Sequence, residues 1–177
     1  MAFAGPAGAE TQVITKKVGP IQVGPYQVAL GGPQAPGGPA PKVPNIEGFI
    51  TRMSVDVVDV NTGKPVPIKR IMLHHIVFFN VGTAEARRFD PFYGDGEERA
   101  KMVLPEGYGY PIHPGEQWGW VWMLMNHQSI ADQVQIRYRM TVVTGEELKP
   151  VIPLSFDTSN RRQALVFDVP GGGRPGS

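Results

Sequence analysis

The sequence contains no cysteine in its 177 residues. That absence removes disulfides, thiolate metal sites and cysteine nucleophiles together. It leaves the compartment open, because a secreted domain with a good core manages without disulfides. An excess of one charge is also missing: Lys and Arg total 17 against 16 Asp and Glu, a net charge of +1. There is neither the basic surplus of a nucleic-acid surface nor an acidic tail. No apolar run reaches the roughly 20 residues that span a bilayer, so no membrane span is expected. The opening Met-Ala-Phe-Ala-Gly-Pro-Ala-Gly lacks the basic and apolar regions of a signal peptide. Nucleophile elbow, phosphate loop and dinucleotide fingerprint are all absent.

What is present argues for strands. A hydrophobic content of 41% with 19% charged residues is enough for a core, and the length suits one domain. The 22 glycines and 18 prolines break helices and punctuate strands. Residues 1–44 read as a flexible N-terminus and a Gly/Pro-rich arm, with short β segments at Val13–Val23 and Tyr26–Leu30. The stretch Gly31–Pro44 is expected to lie extended over the surface or over a neighbouring subunit. The β-sandwich domain is expected over 45–169, with a flexible tail over 170–177.

Within that domain, Phe49 to Val57 alternates as a half-buried strand, followed by a turn at Asn61-Thr62-Gly63-Lys64. Arg70 to Asn80 is apolar in both parities, as a strand covered on both faces would be. Residues 81–107 are the least regular, with a helical turn expected over Thr83–Arg88 and an acidic loop from Asp90 to Glu98. That loop does not match the spacing of a helix-loop-helix calcium site. Trp118 to His127 is a strand with Trp118, Trp120, Trp122 and Leu124 on one face and Val121, Met123, Met125 and His127 on the other. The tryptophans read as core rather than as a ligand platform. Val134 to Val142 is the cleanest amphipathic strand, and Val151–Phe156 and Gln163–Val169 supply the last ones. Short strands joined by turn residues predict an all-β, antiparallel, jelly-roll-like sandwich in a single domain.

The chain has four histidines: His74, His75, His113 and His127. Three lie in apolar strands, where an imidazole needs a partner for each nitrogen. An adjacent pair plus a third from another strand points to a metal. Imidazole suits copper and zinc, and the thioethers of Met72, Met123 and Met125 add affinity for Cu(I). Neighbouring strand residues point to opposite faces, so His74 and His75 can share an ion only where the strand bends, ends or bulges. His113, in the turn Pro111-Ile-His-Pro-Gly, reads first as an exposed turn residue and second as a fourth ligand. Tyr108 and Tyr110 are candidates to line the same pocket.

The stretch from Phe49 through Gly63-Lys-Pro-Val-Pro-Ile to Leu73-His-His-Ile-Val-Phe resembles the copper type II, ascorbate-dependent monooxygenase superfamily. It is most similar to stress-induced nodulin-type proteins of plants and their bacterial relatives. Gly107-Tyr-Gly-Tyr-Pro-Ile, Trp118 and Met125-Asn-His127 resemble the same group, so the likeness covers about two-thirds of the chain. It implies a β-sandwich with one copper on His74, His75 and His127, and His113 and Met125 as possible additions. Zinc is the alternative ion. The second copper domain of the hydroxylases has no counterpart here. Any activity would be that of a copper-dependent oxidoreductase on a small molecule, and the resemblance implies an extracytoplasmic location. The alternative is a structural, self-assembling module that needs no metal and forms a homo-oligomer through the N-terminal arm.

Overall fold

A computed structural model describes residues 8–32 and 38–153, without the side chains of 87–89. Ten strands follow in order: β1 Glu10–Val23, β2 Val28–Gly31, β3 Gly48–Asp59, β4 Ile71–Gly82, β5 Arg87–Gly96, β6 Met102–Val103, β7 Tyr108–Ile112, β8 Gln117–Asn126, β9 Asp132–Thr144 and β10 Lys149–Pro150. There is no helix among the described residues. Six strands form one sheet in the order β1-β9-β3-β7-β10, with β6 on β3, and four form the other in the order β2-β8-β4-β5. The pairings are antiparallel except β7 with β10. The all-β sandwich expected from the alternation is the fold.

Alternation explains which faces meet. Met53, Val55 and Val57 of β3 and Val134, Ile136, Tyr138 and Met140 of β9 point inward and are buried. They meet Ile71, Leu73, Ile76 and Phe78 of β4 and Trp118, Trp120, Trp122 and Leu124 of β8. The tryptophans are therefore core, as expected. Aromatic contacts join the two sheets: Phe78 lies 5.1 Å from Tyr138 and Phe92 stacks on Tyr110 at 4.7 Å, while Phe78 and Trp120, neighbours within one sheet, lie 5.4 Å apart.

The two outer faces differ. On the six-stranded sheet Asp56 is opposite Arg137, whose Nε donates to the Asp56 carboxylate at 2.8 Å, with Lys17 opposite Arg137 on the other side. On the four-stranded sheet the outward row is Met72, Val77, Val121, Met123 and Met125, all half-buried, with no charged side chain among the described residues. This is why β4 is apolar in both parities. The second layer expected over it is not found among the described residues.

Three segments refine the expectations. The β segments expected at Val13–Val23 and Tyr26–Leu30 are strands, and they belong to the two sheets rather than to an arm: β1 pairs with β9 from Glu10 to Val23, and the Gly19-Pro20 break is only a register shift between Val18 and Ile21. Val18, Ile21 and Val23 are buried, so this segment is part of the core. Residues 38–44 lie over their own domain, the first of the two expected placements, where Trp120 Nε1 donates to the Pro39 carbonyl at 2.8 Å and Tyr138 OH to the Lys42 carbonyl at 2.8 Å. Thr83–Arg88 is a bend leading into β5, which runs through much of the expected acidic loop. Burial of Phe92 and Tyr93 holds β5 in place. Of the last expected strands, 151–153 are not strand, and the remainder to Phe156 and Gln163–Val169 lie outside the described residues.

Candidate metal centre

The pairing of β4 with β8 sets Leu73 opposite Leu124 and His75 opposite Met123. One step on β8 thus corresponds to two on β4, and His74 is the extra residue of a β-bulge. Leu73 and Ile76 are both buried, whereas His74 is exposed and His75 half-buried. The bulge supplies the condition that adjacent strand histidines need to share one ion. Their Nδ1 atoms lie 3.0 Å apart, with the ring planes at 76°. Two nitrogens bound to one Cu or Zn at about 2.0–2.1 Å are separated by about 2.9 Å at a right angle and about 3.3 Å at the tetrahedral angle. The observed spacing falls in that window. Without an ion the same contact is a hydrogen bond in which one imidazole donates and the other accepts.

The neighbouring strands shape this pair. Gly96 of β5 stands opposite His75. A Cβ at Gly96 would meet the His74 carbonyl oxygen at 2.6 Å and Glu98 Oε2 at 3.0 Å. The bulge pushes the His74 carbonyl toward β5, and only glycine accommodates it there. The turn after Gly96 is fixed by Asp95, whose carboxylate accepts from Gly96 N at 2.7 Å and Ala100 N at 2.6 Å. Burial raises the Asp95 carboxyl above its ordinary range, against those hydrogen bonds. On the other side Met123 faces His75, and Met125 faces Met72 in the next row. Directly opposed residues bring their Cβ atoms to about 4.5–5.5 Å, so Met123 stands next to His75 on the outer face.

The structure does not bring the other histidines to this place. His127 follows β8, is exposed, and its backbone N–H donates to the Arg70 carbonyl at 3.1 Å. It is four residues beyond Met123, about 13 Å along the strand. His113 sits exposed in the turn between β7 and β8, with Nδ1 2.7 Å from Glu47 Oε1, which is the turn role first expected of it. It borders an open cleft of about 440 Å³ with Glu146 and Glu147. Tyr110 is buried in the core and Tyr108 lies exposed under Lys149, so the two do not share a pocket wall. No group of three or more His, Asp or Glu side chains suited to a metal occurs among the described residues.

No protein-family model matches the chain, and no curated protein matches it. Among solved structures, the Yersinia pseudotuberculosis-derived mitogen aligns at a TM-score of 0.27 with 8% identity, over 77% of this chain and 89% of that one. A likeness at that level carries nothing across about function.

Gly96 was missed from sequence alone, because it reads as a loop glycine until the bulge is known. Met123 was one of three thioethers expected near the histidines, and pairing register sets it opposite His75.

Proposed function

We propose that this chain is a copper-binding β-sandwich protein whose site is centred on His74 and His75. The observation that carries the reading is the bulge in β4, which turns two consecutive imidazoles to one side with their Nδ1 atoms 3.0 Å apart. The resemblance of the Leu73-His-His-Ile-Val-Phe frame to copper type II monooxygenases supports copper. So does the thioether of Met123, since mixed imidazole and thioether surroundings favour Cu(I), whereas zinc gains nothing from them. When bound, copper would supply one-electron exchange. The chain's own residues orient the imidazoles through the bulge, hold β5 close through Gly96, and keep the surroundings apolar through Met72, Val77 and Met125.

The ligand set in this reading differs from the one the resemblance implies, with Met123 beside the pair and His127 left out. Copper retention, with EPR of the Cu(II) form, tests both. His74→Ala and His75→Ala each lower affinity at least about tenfold, His127→Ala leaves it within about twofold, and Met123→Leu weakens Cu(I) more than Cu(II). Loss on His127→Ala equal to that on His74→Ala would restore the three-histidine set. Retention unaffected by either member of the pair would end the copper reading at this site.

A further inference from the structure

The geometry points to a second copy of this chain as the partner that completes the site: two copies pack the outer faces of their four-stranded sheets together and hold one ion between two His74–His75 pairs. This rests on the copper reading above.

The first argument is coordination. Each chain offers two imidazole nitrogens at ligand spacing, and no third His, Asp or Glu joins them among the described residues. Copper and zinc sites of this kind take three or four donors. A two-fold axis beside the pair supplies two more imidazoles from the identical surface.

The second argument is the face itself. Leu30, 55% exposed, leads a row through Met123 and His75 to Gly96, and Val121 pairs with Val77 in the next row. No charged side chain stands in these two rows, so their central part meets itself without like-charge repulsion, and the Glu98 carboxylate lies at the Gly96 end. The opposite sheet, with Lys17, Arg137, Arg139 and Asp56 outward, is the ordinary solvated one. On the β5 side of the histidines Gly94 has no side chain and leaves room for the imidazoles of the other copy, while Glu98 Oε2 lies where a Cβ of Gly96 would point.

The third argument is area. Four strands spaced about 4.8 Å apart over a length of about 23 Å give a footprint of roughly 450 Å² per copy, or roughly 900 Å² for the pair. Specific interfaces begin near about 1,000 Å², so the face alone falls just short of a stable dimer. The shared ion supplies what the area lacks, and association is therefore metal-dependent.

The test is light scattering with metal analysis on the full chain, freed of metal and then loaded with Cu(I) or Cu(II). The expected result is a monomer without metal and a dimer holding one ion per two chains with it. His74→Ala and His75→Ala abolish both. Val121→Lys, which leaves the histidines in place, keeps the chain folded by its melting curve and prevents the dimer. One ion per chain on a monomer overturns this inference and leaves the copper reading standing. No retained ion overturns both. A dimer that forms equally without metal, or survives Val121→Lys, also overturns the shared site.

Discussion

Gly96 carries a constraint out of proportion to its size. Its missing side chain leaves room for the carbonyl that the bulge displaces from His74, and the obstacle to any Cβ there is backbone, which cannot rotate away. Gly96→Ala is expected to cost about 1–3 kcal/mol by overpacking and to lower copper affinity by about tenfold through tilting of the pair. Urea unfolding and copper competition measure the two effects separately. An alanine variant that binds copper like the parent would detach the bulge from β5. Asn126 is a second residue of this kind, buried at 2% exposure, with its amide donating to the carbonyls of Val23, Gly24 and Ile130. It ties β1, β8 and the loop after β8 at one corner. Sequence alone pointed instead to its neighbour, His127, because histidine advertises chemistry and asparagine does not.

At the scale of the element, β4 is two regular half-strands joined by one extra residue. Removing His74 restores simple alternation, with Leu73 and Ile76 still inward and His75 still outward. The deletion is expected to keep or raise the melting temperature while copper binding is lost. A deletion that unfolds the protein would show that the bulge also serves the core. The ends of β3 and β9 are joined by Arg70, which reaches Asp59 at 2.7 Å and Asp132 at 2.6 Å. The Arg70 guanidinium, with the Thr62 amide, lowers the Asp59 carboxyl from 3.8 to about 2. A lowered carboxyl pKa contributes stability above its unfolded value, and that stability is lost as pH falls toward the folded value. Urea midpoints between pH 4 and pH 2 should therefore fall less steeply for Asp59→Asn than for the parent, and an unchanged slope would remove Asp59 from the acid response.

These elements also show how much was readable beforehand. The strands β3, β8 and β9 were legible because inward and outward residues differ in kind or run without a break. In β4 both parities are apolar, so the sequence stated what a shared ion would require but not that a bulge provides it. The strand β5 was hidden because Gly94, Asp95 and Gly96 look like a loop, and only Phe92 and Tyr93 reach the core. The break at Gly19-Pro20 hid only the continuity of β1, since a proline that ends an inner strand is tolerated at an edge. Pairing between strands distant in the sequence, which sets Met123 by His75, leaves no trace in local alternation.

At the scale of the whole molecule, residues 38–44 close the gap between the sheets. Tyr138 comes from the six-stranded sheet and Trp120 from the four-stranded one, and both hold this segment. Burial pushes the Tyr138 phenol well above its ordinary range, so it stays neutral and keeps its proton for the Lys42 carbonyl. It also accepts from the Lys42 amide. Tyr138→Phe leaves both Lys42 groups without this partner and is expected to cost about 1–2 kcal/mol, with faster hydrogen exchange at the Lys42 amide. Exchange unchanged from the parent would mean that the prolines alone hold the segment.

The route of the chain before that segment matters as much. Between Val23 and Val28 it crosses from an edge of one sheet to an edge of the other, so a single short N-terminal stretch caps β9 on one side of the molecule and β8 on the other. Cutting at residue 44 would therefore not trim a tail. It would strip two edges at once and leave unpaired rows of N–H and C=O groups on strands built to be interior, which are templates for adding strands from other molecules. Loss of that stretch would expose β9 and β8 as edges on which further strands can be added.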